Sequence, residues 1–351
     1  MDLISRLNTE ATLLRARFEV LSRQSSNGLK GTSLSDLGTD LPRTVDLQNS
    51  IKRNETYSRT MDQAGARMSV MQTALSRLSA IATEFRAEIS TALSSSNTNS
   101  LVTVQSRAKA ALKEVGQLLN TQLNGEYLFG GSDLANPPIP DPDGLPTSTM
   151  ANTIATAVTG LTNANATAVN AATLAAAQDT SAGNSVFSAF LEDPAQGAGE
   201  ARRSVPVSDG ERMTYGIKAN ANGSANSTGD TTGSWARDLL RGLMTLSSLT
   251  DTQMQQGQGF DAVADSLRNI FKSAESALAE ETGSLGAVQK QVEAAKTRQS
   301  DINTQLTGQL SGLTEVDMAT TLTRLQATQT QLEASYRITA SLANLTLTKF
   351  L

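Results

Sequence analysis

Residues 61–92 read MDQAGARMSVMQTALSRLSAIATEFRAEISTA, and within them Met61, Ala64, Met68, Met71, Leu75, Leu78, Ala82, Phe85, Ile89 and Ala92 recur at alternating intervals of three and four. Side chains so spaced stack on one face of an α-helix, so the stretch predicts a helix with a narrow, continuous apolar stripe. Leu47 and Ile51 carry the stripe backwards, and between Arg43 and Ala92 there is no proline and only one glycine, Gly65. The predicted helix is therefore about 50 residues long, a rod rather than an ordinary globular helix of about 8–20 residues. A polar run, Ser94 to Asn99, ends it. A further helix is expected from near Ser100 through Val104, Ala108, Leu112, Val115 and Leu119, with Asn124-Gly125 closing it as a C′ glycine does.

Working outward, Leu3, Leu7, Ala11, Leu14, Phe18 and Leu21 line a first helix that stops at Ser25-Ser26-Asn27-Gly28. A loop follows, with Asp40 placed to cap the long helix ahead of Pro42. Toward the C-terminus, Trp235, Leu239, Leu243 and Leu246 mark one helix, and Phe260, Val263, Leu267, Phe271, Ala274, Leu278, Leu285, Val288, Val292, Ile302, Leu306 and Leu313 a second rod, with Gly283 and Gly286 as points for a bend. Thr314-Glu315-Val316-Asp317 restarts the helix, after which Met318, Leu322, Leu325, Leu332, Tyr336, Leu342, Leu345 and Phe350 fall at near-heptad spacing.

Between the two halves the pattern changes. Five prolines between Pro137 and Pro146 forbid a long helix, the tract from Gly144 to Gln178 carries no charge, and Val205, Val207, Met213, Tyr215 and Ile217 alternate with polar residues as strands do. The predicted class is mainly α: long antiparallel helical rods in a coiled-coil bundle with a small mixed α/β insert. Terminal assembly helices are expected at 1–28 and 318–351, a rod domain at 29–130 and 231–317, and an outward insert at 131–230. The Ala-rich part of Gly144–Gln178 is compatible with a short helix, but the tract is expected to contribute little to the core and to be removable without harm to assembly.

Composition narrows the function. The chain has no His and no Cys, which removes the Ser-His-Asp triad, the Cys-His pair, Cys/His zinc sites and disulfides. A net charge of −5 without a basic stripe argues against nucleic acid. Charged residues Glu10, Arg15, Arg17 and Glu19 break the apolar stretches near the start, so neither a cleaved signal peptide nor a membrane-spanning segment is expected. Met61, Met68 and Met71 lie at packing positions, Asp133, Asp141 and Asp143 lack the spacing of a calcium loop, and Ser106-Arg107-Ala108-Lys109 stands mid-rod without companions. No catalytic, cofactor or metal site is expected. The two terminal stripes are each too narrow to be satisfied alone, which is how a polymerising subunit is built.

Leu21-Ser22-Arg23-Gln24-Ser25-Ser26-Asn27-Gly28, Asp62-Gln63-Ala64-Gly65-Ala66-Arg67-Met68, Asp317-Met318-Ala319, Thr330-Gln331-Leu332-Glu333-Ala334-Ser335-Tyr336 and Leu345-Thr346-Leu347-Thr348-Lys349-Phe350-Leu351 resemble the bacterial flagellin family at both of its ends. Asn124-Gly125-Glu126-Tyr127-Leu128-Phe129-Gly130-Gly131 and Tyr215-Gly216-Ile217-Lys218-Ala219-Asn220 are similar to its hook-filament junction members, the hook-associated proteins, more than to filament flagellin. The resemblance implies a non-enzymatic structural subunit, exported unfolded through the flagellar type III apparatus with an export chaperone and assembled outside the cell with copies of itself and with hook and filament proteins. Leu3, Leu7, Leu14, Phe18, Leu21, Met318, Leu322, Leu325, Leu332, Tyr336, Leu342, Leu345 and Phe350 are then the expected assembly interface. A divergent flagellin that forms the filament itself, a surface-exposed binding relative of flagellin and an unrelated coiled-coil scaffold remain as alternatives.

Overall fold

The computed structural model describes residues 3–92 and 98–347, and their side chains over 5–91 and 101–341. The chain is mainly α, as expected, with only two short antiparallel sheets among the described residues, and it divides into two compact units. One unit comprises residues 57–297, the other residues 1–56 and 298–351.

In the 57–297 unit the larger part of helix α2 (Leu41–Ala92) joins α3 (Thr98–Leu119) and most of α9 (Gln258–Thr314). Met61, Ala64, Met68, Met71, Leu75, Leu78, Ala82, Phe85 and Ile89 are all buried, so the stripe read from the sequence is the core face of α2. Its partners run antiparallel to it. Asp62 pairs with Lys296 at 2.6 Å while Arg86 pairs with Glu275 at 2.9 Å, and Phe85 stacks on Phe271 with ring centres 6.1 Å apart. Likewise Arg77 donates to Glu114 at 3.0 Å, while Arg107 pairs with Glu88. These pairs are largely exposed and set register more than stability. The stability comes from the stripes, since full burial of each Leu, Met or Phe contributes about 1.5–3 kcal/mol. Helix α9 continues unbroken through Gly283 and Gly286, the two expected points for a bend.

Two expectations are corrected here. Helix α3 ends at Leu119, before Asn124-Gly125; those two residues instead join β1 (Gln122–Leu123) to β2 (Glu126–Tyr127). Both have positive φ, +55° at Asn124 and +79° at Gly125, the conformation that a tight two-residue hairpin loop demands. The second correction concerns Gly144–Gln178. It forms α4 (Thr149–Thr159) and α5 (Ala166–Gln178), which bury Ile154, Val158, Val169 and Ala177 in the same core as the long helices. A charge-free Ala/Thr tract reads as filler, yet its small residues let α4 and α5 pack on α7 (Trp235–Ser248). Every residue of α7 from Trp235 to Leu246 is buried, including Arg237, Asp238 and Arg241. Arg241 survives burial because α5 and the adjoining loop supply acceptors: the Asn170 carbonyl and the Asp230 carbonyl at 3.0 Å each, and Thr173 Oγ1 at 3.2 Å. Gly242 lies so close to Phe271 that a Cβ would stand 2.8 Å from the ring.

The expected strands appear as β3 (Ser204–Ser208) and β4 (Glu211–Thr214), with Val205 and Val207 turned into the core. Short helices α6 (Ala189–Glu192) and α8 (Asp251–Met254) complete the unit.

The second unit is built on α1 (Leu3–Asn27) and α10 (Met318–Leu347). Asn27-Gly28 stops α1, with Gly28 at φ +73°. The chain then meets the end of α9 in an antiparallel bridge: Lys30 N donates to the Thr314 carbonyl at 2.8 Å and Val316 N to the Gly28 carbonyl at 2.9 Å. A 3-10 stretch, Leu34–Asp40, leads into α2, and the Asp40 carbonyl accepts from Thr44 Oγ1 at 2.9 Å.

Candidate assembly surface

Helices α1 and α10 pack as an antiparallel pair, since Gly28 bonds near the start of α10 while Arg15 reaches Tyr336 further along it. On α1 the covered positions are Leu7, Ala11, Leu14, Phe18 and Leu21, with Leu21 buried and the others half-buried. That is the stripe predicted from spacing.

On α10 the covered positions are Thr321, Leu325, Thr328, Leu332, Ser335 and Thr339. The heptad is real, but four of its six rungs are hydroxyl residues, which a search for apolar residues passes over. Thr328 and Thr339 are suited to it because their hydroxyls donate to carbonyls of their own helix, Arg324 O at 2.8 Å and Ser335 O at 2.9 Å, which frees the methyl groups to pack. Of the predicted α10 residues, Leu325 and Leu332 join this seam. Met318, Leu322 and Tyr336 stand on an open flank, 41%, 49% and 43% exposed. Leu3, Leu342 and Leu345 lie on the helices with side chains outside those described, and Phe350 lies outside the described residues. Ile338 and, on α1, Leu13 and Val20 are also exposed.

Asp317 starts α10 by accepting from Thr320 N at 3.1 Å and Ala319 N at 2.9 Å. These bonds, the one from Thr320 foremost, hold its carboxyl below the usual range, and the negative charge complements the helix N-terminus.

The methionines, aspartates and serine singled out by their spacing are engaged within the fold. Met61, Met68 and Met71 are packed in the core, and Asp133 and Asp141 are engaged by Asn136 N at 3.1 Å and Gly144 N at 2.8 Å. Ser106 Oγ donates to its own helix at Val102 O, 3.0 Å. Among the described residues no group of three acidic side chains is placed to hold a metal ion, and no helix is long and apolar enough to cross a membrane. What the terminal pair presents is apolar surface: one seam closed within the chain and a second row of large apolar side chains left open beside it.

Residues 3–133 match the bacterial flagellin N-terminal helical region, and residues 269–351 match the bacterial flagellin C-terminal helical region. Together the two matches span more than half of the chain, and they contain both helices of the terminal pair. No curated protein matches the chain at a significant level.

Proposed function

The chain belongs to the bacterial flagellin family, and we propose that it polymerises through α1 and α10 at the hook-filament junction. As a family member it is a structural, self-assembling component of the extracellular flagellum. The observation that carries the finer reading is the open flank of Met318, Leu322 and Tyr336 beside a closed seam: an isolated chain leaves these side chains in water, and neighbouring subunits cover them. In this reading residues 1–28 and 318–351 are the assembly segments, 29–130 and 231–317 the rod, and 131–230 the surface segment. Export runs through the flagellar type III route, with a chaperone shielding the terminal helices and hook and filament proteins as neighbours.

The choice of the junction rests on Asn124–Gly131, whose hairpin turn and following Tyr127-Leu128-Phe129-Gly130-Gly131 are similar to junction members of the family. Electron microscopy of the purified chain under polymerising conditions tests it. Short or absent polymers that become capped structures when hook and filament proteins are added agree with a junction subunit. Long filaments from the chain alone make it a filament flagellin.

A further inference from the structure

A cavity of about 250 Å³ opens in the 57–297 unit between Arg67 of α2, the segment after β2, residues 200–203 and residues 215–218. Its seat is apolar: Met71, Leu128, Tyr215 and Ile217 line it and are all buried. Its charges are unevenly matched. Lys218 Nζ is spent on the carbonyls of Gly197, Ala198 and Glu200 at 2.8, 3.2 and 3.3 Å, and Glu200 accepts from Ser132 N at 2.8 Å. Arg202 donates to the Gly216 carbonyl at 2.6 Å and to Ser224 Oγ at 3.1 Å. That leaves two guanidiniums and one carboxylate. Arg67 takes Glu126 in a hydrogen-bonded ion pair, while Arg203 lies within the field of Glu126, half-buried, with no hydrogen bond from its side chain among the described residues. An arginine half-buried as a residue, with the planar donors of its guanidinium unspent among the described residues and an apolar seat beside it, is complementary to a second carboxylate that brings its own apolar surface.

We propose that this cleft binds a carboxylate carried on a compact apolar body, with Arg203 as its anchor and Met71, Leu128 and Ile217 as its seat. The same chemistry comes from a free organic acid or from an acidic side chain beside aliphatic ones in another protein, and the experiment separates the two. The full chain, labelled at its methionine methyl groups, is titrated with hexanoate, with hexanamide and with a blocked Leu-Glu-Leu peptide while the Met71 resonance is followed by NMR. Hexanoate is expected to shift that resonance saturably and hexanamide to bind about ten- to hundredfold more weakly, the worth of a hydrogen bond to a charged group. Arg203→Gln is expected to erase the difference and Arg203→Lys to keep part of it, each with an unchanged helical circular dichroism spectrum. Tighter binding of the peptide than of hexanoate assigns the carboxylate to a protein, and the reverse assigns it to a free acid. Equal binding of hexanoate and hexanamide by the parent chain overturns the proposal, a comparison that needs no variant to fold. Undiminished hexanoate binding by Arg203→Gln overturns it as well.

Discussion

Arg15 of α1 donates a hydrogen bond to the phenolic oxygen of Tyr336 of α10 at 2.8 Å, and its guanidinium carbon stands 5.9 Å from the centre of the same ring. The contact lies beside the seam and braces two helices whose shared face is mostly hydroxyl on the α10 side. Tyr336→Phe keeps the ring and removes the oxygen, so the expected cost is about 0.5–1.5 kcal/mol. Amide hydrogen exchange along α1 is the measurement. Faster exchange in the variant is expected, and an unchanged pattern means that the contact does not support the pair.

Seam and flank separate folding from assembly. Leu332→Asp puts a charge into the covered stripe at a cost of several kcal/mol and is expected to unpair α1 from α10. Leu322→Asp lies on the open flank and is expected to leave the monomer's helical signal unchanged while abolishing incorporation into polymer. Normal polymer yield from Leu322→Asp removes the flank as an assembly surface.

Deleting Gly144–Gln178 is expected to unfold the 57–297 unit, contrary to what the charge-free tract suggests in sequence. The deletion strips Ile154, Val158 and Val169 from the core and removes the Thr173 and Asn170 acceptors of Arg241. Buried Arg241 then has a charge with most of its partners gone. A deletion variant that keeps the near-ultraviolet dichroism of Trp235 and resists protease as the parent does contradicts this.

Gly242→Ala is expected to destabilise by about 1–3 kcal/mol, because the new methyl meets the Phe271 ring and neither helix has room to retreat. Urea denaturation midpoints compare the two proteins directly. Equal midpoints show that the packing there is looser than the distance implies.

Asp238 supplies a dependence on pH. Its Oδ1 accepts from Thr232 N at 2.9 Å, Oδ2 is buried with no hydrogen-bond partner among the described residues, and burial raises its carboxyl above the ordinary value of 3.8 despite Arg241 and Arg237 nearby. The folded state therefore holds the proton more tightly than the unfolded state. This group's contribution is fully present below the unfolded value and is lost as pH rises through the raised one. Asp238→Asn does not titrate. The stability of the parent minus that of the variant is expected to fall as pH climbs above about 3.8, and a difference that rises instead refutes the assignment.

Where one face of a helix is uniformly apolar, the sequence is an open record of the fold: the α2 stripe from Met61 to Ile89, the α9 stripe from Phe260 to Val292 and the α1 stripe from Leu7 to Leu21 are covered where spacing places them, whereas Ile302, further along α9, is 44% exposed. Legibility fails where burial is not carried by apolar residues. Thr328 and Thr339 pass for surface because nothing in a sequence shows a hydroxyl turned back on its own helix. Arg237, Asp238 and Arg241 break the stripe of α7 and hide its burial from Trp235 to Leu246, since acceptors of the two arginines, Ala177 and Glu192 for Arg237 and Thr173 and Asn170 for Arg241, lie tens of residues away. Asn124-Gly125 illustrates a different ambiguity: the same pair stops a helix or turns a hairpin, and only the strands beside it decide.

The pairing of α1 with α10 also sets an order of events in time. Arg15 and Tyr336 are separated by 321 positions, so the stripe on α1 stays uncovered until α10, more than 300 residues further on, has been made. Closing so wide a span costs about 2 kcal/mol more in chain entropy than closing one a tenth as long. The seam is thus among the last contacts that a growing chain is able to form.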